Sequence, residues 1–215
     1  MKIKWLGHAS FLVTSAEGKK IITDPYSVGG GIEYAPINES ADVVTISHDH
    51  EDHNNDRAVK GNPQVIRGDG IRKVKGIEFK GISSYHDAAR GSQRGNNIIF
   101  CFTVDGINVC HLGDLGHLLS DKQIADIGPV DILLIPVGGY FTIDAKEATT
   151  VYQSLKAKIV VPMHYKTSKC GYPISKVDEF LKGKENARNL NSSEVEYKKA
   201  ELPKEAEIVV LQHEL

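Results

Sequence analysis

Early in the chain, short apolar runs alternate with turn residues at close intervals. KIKWLG (2–7), SFLVTS (10–15), KKIITDP (19–25), ADVVTI (41–46), QVIRG (64–68), RKVKG (72–76) and IEFKGISSY (77–85) all have this form. Runs of this length, rich in β-branched and aromatic residues and bounded by Gly, Asp or Asn, read as strands. In IIFCFTVDGINVC (98–110) the Asp105-Gly106 pair predicts a hairpin with a two-residue loop. That register sets Val104 opposite Ile107 and Cys101 opposite Cys110. Farther on, the period changes. LLSDKQIADIG (118–128) and DAKEATTVYQSLK (144–156) have helical spacing, with Ser120 and Asp144 placed as N-caps, and KVDEFLKGKE (176–185) suggests a third helix. Between and after them lie strand-like DILLIPV (131–137), KIVVPMH (158–164) and EIVVLQHE (207–214).

Three of these runs share a layout. ADVVTISHDH, VDILLIPVGG and AKIVVPMHY each pass from a charged or small start through an apolar strand into a polar loop. Polar groups at the ends of several buried strands would gather on one rim, a common place for α/β sites. Two further segments, SVGGGIEYAPINES (27–40) and AARGSQRGNN (88–97), are irregular; the first reads as a loop near the site, the second as a mobile loop at its mouth.

Composition narrows the class. The chain has 215 residues, and no linker or composition shift divides it, so one domain over 1–215 is expected. The net charge of −2 sets up no global field for nucleic acid or anionic membrane. No apolar run approaches the roughly 18 residues of a membrane span. MKIKWLGHAS lacks the apolar core of a signal peptide, and three sparse cysteines argue against a disulfide framework. The expected setting is the cytoplasm, with Cys101 and Cys110 reduced, and the composition is open to a homo-oligomer.

The densest chemistry follows ADVVTI. Three histidines and three acids occupy His48 to His53. Buried imidazoles and carboxylates are costly unless paired, and clustering multiplies the cost. A divalent cation offsets it, since imidazole nitrogen and carboxylate oxygen are ligands zinc takes at about 2.0 to 2.2 Å. A solvated loop explains one such histidine more readily than this density.

H-D-H-E-D-H at 48–53 resembles the HxHxDH signature of the metallo-β-lactamase superfamily. Asp24 in IITDP, His86 in SSYHD, Asp114 in HLGDLGH and His164 in VVPMHY stand where that family keeps further site residues. WLGHASF and PVGGYFTIDAKEA are similar to its Zn-dependent hydrolases, near the ascorbate-6-phosphate lactonase-like proteins and, more distantly, the N-acyl-phosphatidylethanolamine phospholipase D-like proteins. The resemblance implies a four-layer αββα sandwich with the site at one edge, an architecture that composition and spacing alone do not show.

Carried over position by position, the resemblance implies two divalent metal ions, zinc first, with Mn²⁺ or Fe²⁺ as alternatives. One ion would be held by His48, His50 and His86, the other by Asp52, His53 and His164, with Asp114 bridging. His111 and His117 flank Asp114 and compete with His86. Asp52 is the catalytic candidate, orienting a water or hydroxide or shuttling its proton. His8, Asp24, Arg94, His111 and Tyr140 are candidates for supporting or substrate contacts, and Phe141 and Tyr165 for pocket walls. The implied activity is hydrolysis of a small ester, lactone or phosphodiester, with anionic substrates among the candidates. The alternatives are a nuclease of the same fold, for which no basic groove is visible, a di-iron redox protein, and a metal-binding protein without turnover.

Overall fold

The structure, a computed structural model, describes residues 1–215. Strands β1 (Lys2–Gly7), β2 (Ser10–Thr14), β3 (Lys20–Thr23), β4 (Val43–Ile46) and β5 (Gln64–Arg67) begin one sheet. Next come β6 (Gly70–Val74), β7 (Ile77–Tyr85), β8 (Asn96–Val104) and β9 (Ile107–His111). Then follow α1 (Asp121–Ile127), β10 (Ile132–Pro136), α2 (Ala145–Leu155), β11 (Ile159–Met163) and α3 (Val177–Leu181). The chain ends with β12 (Ala187–Asn189), β13 (Glu194–Glu196) and β14 (Glu207–Val210). The first sheet has the order β13-β1-β2-β3-β4-β5 and the second β12-β14-β11-β10-β9-β8-β7-β6.

Burial follows strand alternation. Phe11 and Val13 enter the main core of 44 buried residues, while Leu12 between them points to a second cluster of 13. Val43 and Val44 divide in the same way. Successive side chains point to opposite faces, so the first sheet buries both. Its outer face is covered by Tyr26, Ile32, Tyr34 and Ile37 of the long irregular segment, with one 3₁₀ turn at Asp56–Ala58 in place of an α-helix. The α-helices attend the second sheet: α2 lays Ala148, Val151, Tyr152 and Leu155 into the main core. Ser120 and Asp144 cap α1 and α2, each in a reciprocal capping box.

The Asp-Gly hairpin has the expected register, Val104 opposite Ile107 and Cys101 opposite Cys110, with the sulfurs 3.6 Å apart and unbonded. Asp105 (φ 52°) and Gly106 (φ 73°) both take the left-handed backbone such a turn requires. The third helix is shorter than its pattern suggests. Val177–Leu181 has no side-chain cap, and Gly183 (φ 71°) leaves the helical region soon after.

Strand direction places the site. β1 and β3 are each antiparallel to β2, and β4 is parallel to β3, so β1, β3 and β4 end at one edge. In the second sheet β7 and β9 are each antiparallel to β8, and β10 and β11 run parallel to β9, so these four also share an end.

Candidate metal centre

All of those strand ends except that of β10 deliver a polar residue. His8 follows β1, Asp24 follows β3, Ser47 and His48 follow β4, His86 follows β7, Asp114 lies three residues past β9, and His164 follows β11. Three of them turn out of their strands at positive φ: His8 at 51°, Asp24 at 38° and His164 at 50°. Non-glycine residues in sparsely populated backbone regions cost roughly 1–3 kcal/mol each and persist where surrounding contacts enforce them. Here Asp24 N–H donates to Thr45 O (2.9 Å) within the first sheet, and His164 N–H donates to His8 O (3.2 Å), which ties the two sheets together at the rim.

The side chains converge on one carboxylate oxygen. Asp114 Oδ2 lies 3.2 Å from Nε2 of His53, 3.2 Å from Nε2 of His164, 3.3 Å from Nε2 of His86 and 3.9 Å from Nε2 of His48. The donor atoms of His48, His50 and His86 fall within 4.8 Å of one another, as do those of His8, Asp52, His53 and His164. Nε2 of His48 and His53 and Oδ1 of Asp114 are buried without a hydrogen-bond partner, as is Nδ1 of His8, His86 and His164. Buried polar atoms left unpaired cost about 1–3 kcal/mol each, and a cation is a natural partner for lone pairs on nitrogen and oxygen. The donor set therefore fits a divalent ion.

Burial sets the protonation. It presses the His48 pKa down to about 3 and that of His8 to about 4, keeping both rings neutral and their lone pairs available. Burial also lowers His86. Burial acts against the charge on His53 as well, but Asp114, Asp52 and Asp24 outweigh it and raise that ring. In turn His164 and His53 hold Asp114 well below the usual carboxylate range despite burial. Asp52 is likewise lowered by His53 and His8 against its own desolvation.

A second layer orients these groups. Asp24, fully buried, accepts from Ser47 N–H (2.8 Å), from Ser47 Oγ (2.5 Å) and from His53 Nδ1 (2.9 Å). A carboxylate there holds the His53 proton on Nδ1 and turns Nε2 to the centre. Ser47 Oγ also lies 2.9 Å from His48 Nδ1. Asp52 Oδ2 is held by His8 Nε2 (3.1 Å) and by Tyr172 OH (3.2 Å). Asn97, buried, accepts the Asp114 N–H on its Oδ1 (2.9 Å) and donates to Ser84 Oγ and Leu112 O. Nothing in the sequence pattern marked Ser47, Asn97 or Tyr172. Each is a common polar residue with a partner distant along the chain: Asp24 for Ser47, Asp114 for Asn97 and Asp52 for Tyr172.

Several expectations change. His111 has the supporting role among its expected ones and not that of a rival ligand: Nδ1 accepts from Gly113 N–H (3.2 Å) and Nε2–H donates to Ala9 O (2.9 Å), so both nitrogens are engaged in bracing the turn to Asp114. His117 accepts the Tyr85 N–H at an exposed position. Tyr140, a candidate for supporting or substrate contacts, is 65% exposed and sets its ring edge-on to Phe141 at 4.7 Å, outside the residues that line the cavity. Tyr165 packs on Trp5 in the core instead of facing the pocket. The loop expected to be mobile is organised around the Asp87 carboxylate, which burial pushes up and four backbone N–H groups bring below its usual range.

A cavity of about 440 Å³ and another of about 270 Å³ meet at the cluster. The smaller is lined by His50, Asp52, His86, Asp114 and His164, with Arg94, Phe141 and Tyr172 as its remaining walls. The larger is a groove that shares His50 and Arg94 with it and includes Arg67, Gly68, Gly95 and Asn96.

Two packed mixed sheets with a His/Asp cluster at their shared edge define a metallo-hydrolase fold. The β-lactamase superfamily domain matches residues 2–164 of this chain. A UPF0173 metal-dependent hydrolase of Carboxydothermus hydrogenoformans is 34% identical over 196 residues, covering 78% of this chain and 85% of its own. A Thermotoga maritima crystal structure, assigned to the Zn-dependent hydrolases of the metallo-β-lactamase superfamily, is 43% identical with a TM-score of 0.82. That alignment covers 98% of this chain and 97% of the other. The short form of human tRNase Z, 13% identical with a TM-score of 0.56 over 80% of this chain and 98% of its own, shares the fold alone. The chain belongs to the β-lactamase superfamily and, within it, to the UPF0173 metal-dependent hydrolases.

Proposed function

We propose that the cluster holds two divalent cations and that the protein uses them to hydrolyse a small ester, lactone or phosphodiester. One observation carries the reading: two donor groups, His48/His50/His86 and His8/Asp52/His53/His164, gather about the single carboxylate of Asp114, and the resemblance takes Asp52, His53 and His164 as the ligands of the second. Asp114 would bridge, and the nitrogen and oxygen donors favour zinc, with Mn²⁺ or Fe²⁺ as alternatives. Bound divalent ions lower the pKa of the water they hold towards 7 and polarise the bond under attack.

The chain's own residues do the rest. Asp52 is steadied at Oδ2 by His8 and Tyr172, which leaves Oδ1 free of those contacts to steer the attacking water or take its proton. Asp24 and Ser47 hold His53 and His48 in the tautomers that present Nε2. Phe141 and Tyr172 wall the cavity, and Arg94 offers a guanidinium to an anionic part of the substrate.

The likeness of WLGHASF and PVGGYFTIDAKEA to lactonase-like proteins keeps a lactone among the candidates. A nuclease of the same fold finds less support, because the second arginine of the groove, Arg67, is already paired with Asp49 (2.7 Å) and Asp56 (3.4 Å). Residues 1–215 form one domain in this reading, since both sheets contribute donors to the same cluster. The sparse, odd cysteine count supports a cytoplasmic setting.

The test is metal analysis of protein purified without added metal, followed by a panel of esters, lactones and phosphodiesters. Two metals per chain and chelator-sensitive turnover are expected. Asp114→Ala should reduce the metal below two per chain and remove most activity. Two metals retained by that variant, with normal turnover, would overturn the assignment.

A further inference from the structure

Asp87, next to His86, is a buried carboxylate with an unusual set of partners. Its Oδ1 accepts the N–H groups of Ala89 (2.7 Å) and Gly91 (2.9 Å), and its Oδ2 those of Gln93 (3.0 Å) and Arg94 (2.8 Å). The segment closes on itself: Gly95 N–H donates to Gly91 O (3.0 Å), and His86 N–H donates to Gly95 O (3.0 Å). Gly116 packs so closely behind Asp87 N and His86 C that a Cβ has no room there. Burying a carboxylate is costly without such partners, and this one serves a surface loop that adds little to the core.

What the loop presents is Arg94. Its guanidinium carbon stands 5.5 Å from the Phe141 ring centre, and it takes part in none of the ion pairs that neutralise Arg67. Arg94 lines both the 270 Å³ cavity at the cluster and the adjoining 440 Å³ groove. Only Ile46 and Ile98 are apolar among the groove's 11 lining residues, which suits a polar occupant.

We propose that Asp87 is a positioning residue for substrate selection. Its clasp fixes Arg94 at the junction of the two cavities. The preferred substrate is therefore bipartite: its scissile bond lies at the imidazole–carboxylate cluster, and an uncleaved anionic group, carboxylate or phosphate, lies beside Arg94 in the groove. The proposal rests on reading the cluster as a hydrolytic centre. A backbone cage holds the arginine without consuming its charge, whereas a direct carboxylate partner would neutralise it.

The experiment compares wild type, Asp87→Asn, Arg94→Ala, Arg94→Lys and the Asp87→Asn/Arg94→Ala double variant, all metal-loaded. Amide hydrogen exchange is followed at residues 89, 91, 93 and 94. Hydrolysis of 4-nitrophenyl hemisuccinate is compared with that of the neutral 4-nitrophenyl butyrate. Asp87→Asn should speed exchange at those amides and raise KM for the anionic ester by about ten- to a hundred-fold. It should leave kcat, metal content and the butyrate ester nearly unchanged, and should add little to Arg94→Ala. Arg94→Lys, which keeps the clasp, should recover part of the loss and preserves the test if Asp87→Asn fails to fold.

Unchanged exchange, equal losses on both esters, or additive effects of the two substitutions would overturn the proposal. If the wild type turns over neither ester, the reading as an ester hydrolase fails separately. Calorimetric titration with succinate then decides the role of Asp87: weaker binding to Asp87→Asn and Arg94→Ala supports it, and equal affinity in all proteins overturns it.

Discussion

Asp24→Asn keeps the shape of a buried side chain and changes what it can accept. In the native site the carboxylate only accepts, so His53 carries a proton on Nδ1, 2.9 Å away, and a cation at the centre would take the place of the proton on Nε2. An amide that keeps its oxygen on Ser47 N–H turns its NH₂ towards Ser47 Oγ and His53. Two N–H donors then face each other at a position that is fully buried on both sides. The contact is relieved if the proton moves to Nε2, but that tautomer cannot bind a cation. Replacing a carboxylate that orients a ligating histidine costs about 10- to 100-fold in metal affinity, or about 1.4–2.7 kcal/mol. The complete burial of Asp24 and His53 places this variant towards the upper end. Competitive zinc titration against a chromophoric chelator measures the change. Ser47→Ala is the comparison: it removes the hydroxyl contacts to Asp24 Oδ2 and His48 Nδ1 but leaves the Asp24–His53 contact and adds no opposing donor, so its loss should be smaller than that of Asp24→Asn. Zinc affinity of Asp24→Asn within about twofold of wild type would refute the tautomer argument.

Other outcomes can be checked in the same preparations. Metal-free protein should gain about 2.7 kcal/mol at a zinc concentration a hundred times Kd, a rise in Tm of roughly 5–11 °C for a chain of this size, and calorimetry showing no shift would contradict a metal site in the folded state. Gly113→Ala should lose about 2–5 kcal/mol in urea denaturation, because Gly113 sits at φ 56° and an added Cβ would collide with Asn97 Oδ1 and come within 2.6 Å of Ser47 Cβ; a loss below about 0.5 kcal/mol would show that the turn to Asp114 yields easily. Thiol counting on denatured, unreduced protein should find all three cysteines free, and finding one would mean that Cys101 and Cys110 are joined.

Much of the fold was legible because its signals are local. The capping boxes of α1 and α2 lie within four residues of sequence, and the Asp105-Gly106 turn sets the Cys101–Cys110 register by counting outward. The run from His48 to His53 was legible for a similar reason, since its density of donors makes little sense without a shared partner. β13 was not legible. It is three residues long, polar, and pairs with β1 from the far end of the chain. No short-range pattern encodes that pairing, and a short strand draws its stability from the sheet it joins.

By itself the sequence determined most of the strand and helix segments, the chemistry of the donor residues, and the likeness that set His86, Asp114 and His164 beside them. The tertiary structure alone decided how these groups face one another. The directions of β1, β3, β4, β7, β9 and β11 bring polar ends of two sheets to one rim, and that arrangement depends on pairings between distant segments. It also decided the hidden supports and the side-chain directions. Tyr172 reaches Asp52 across 120 residues and Asn97 holds Asp114, while Tyr165 turns into the core and Tyr140 away from the cavity. A side chain's identity states which bonds it can make; only packing decides which partners come within reach of it.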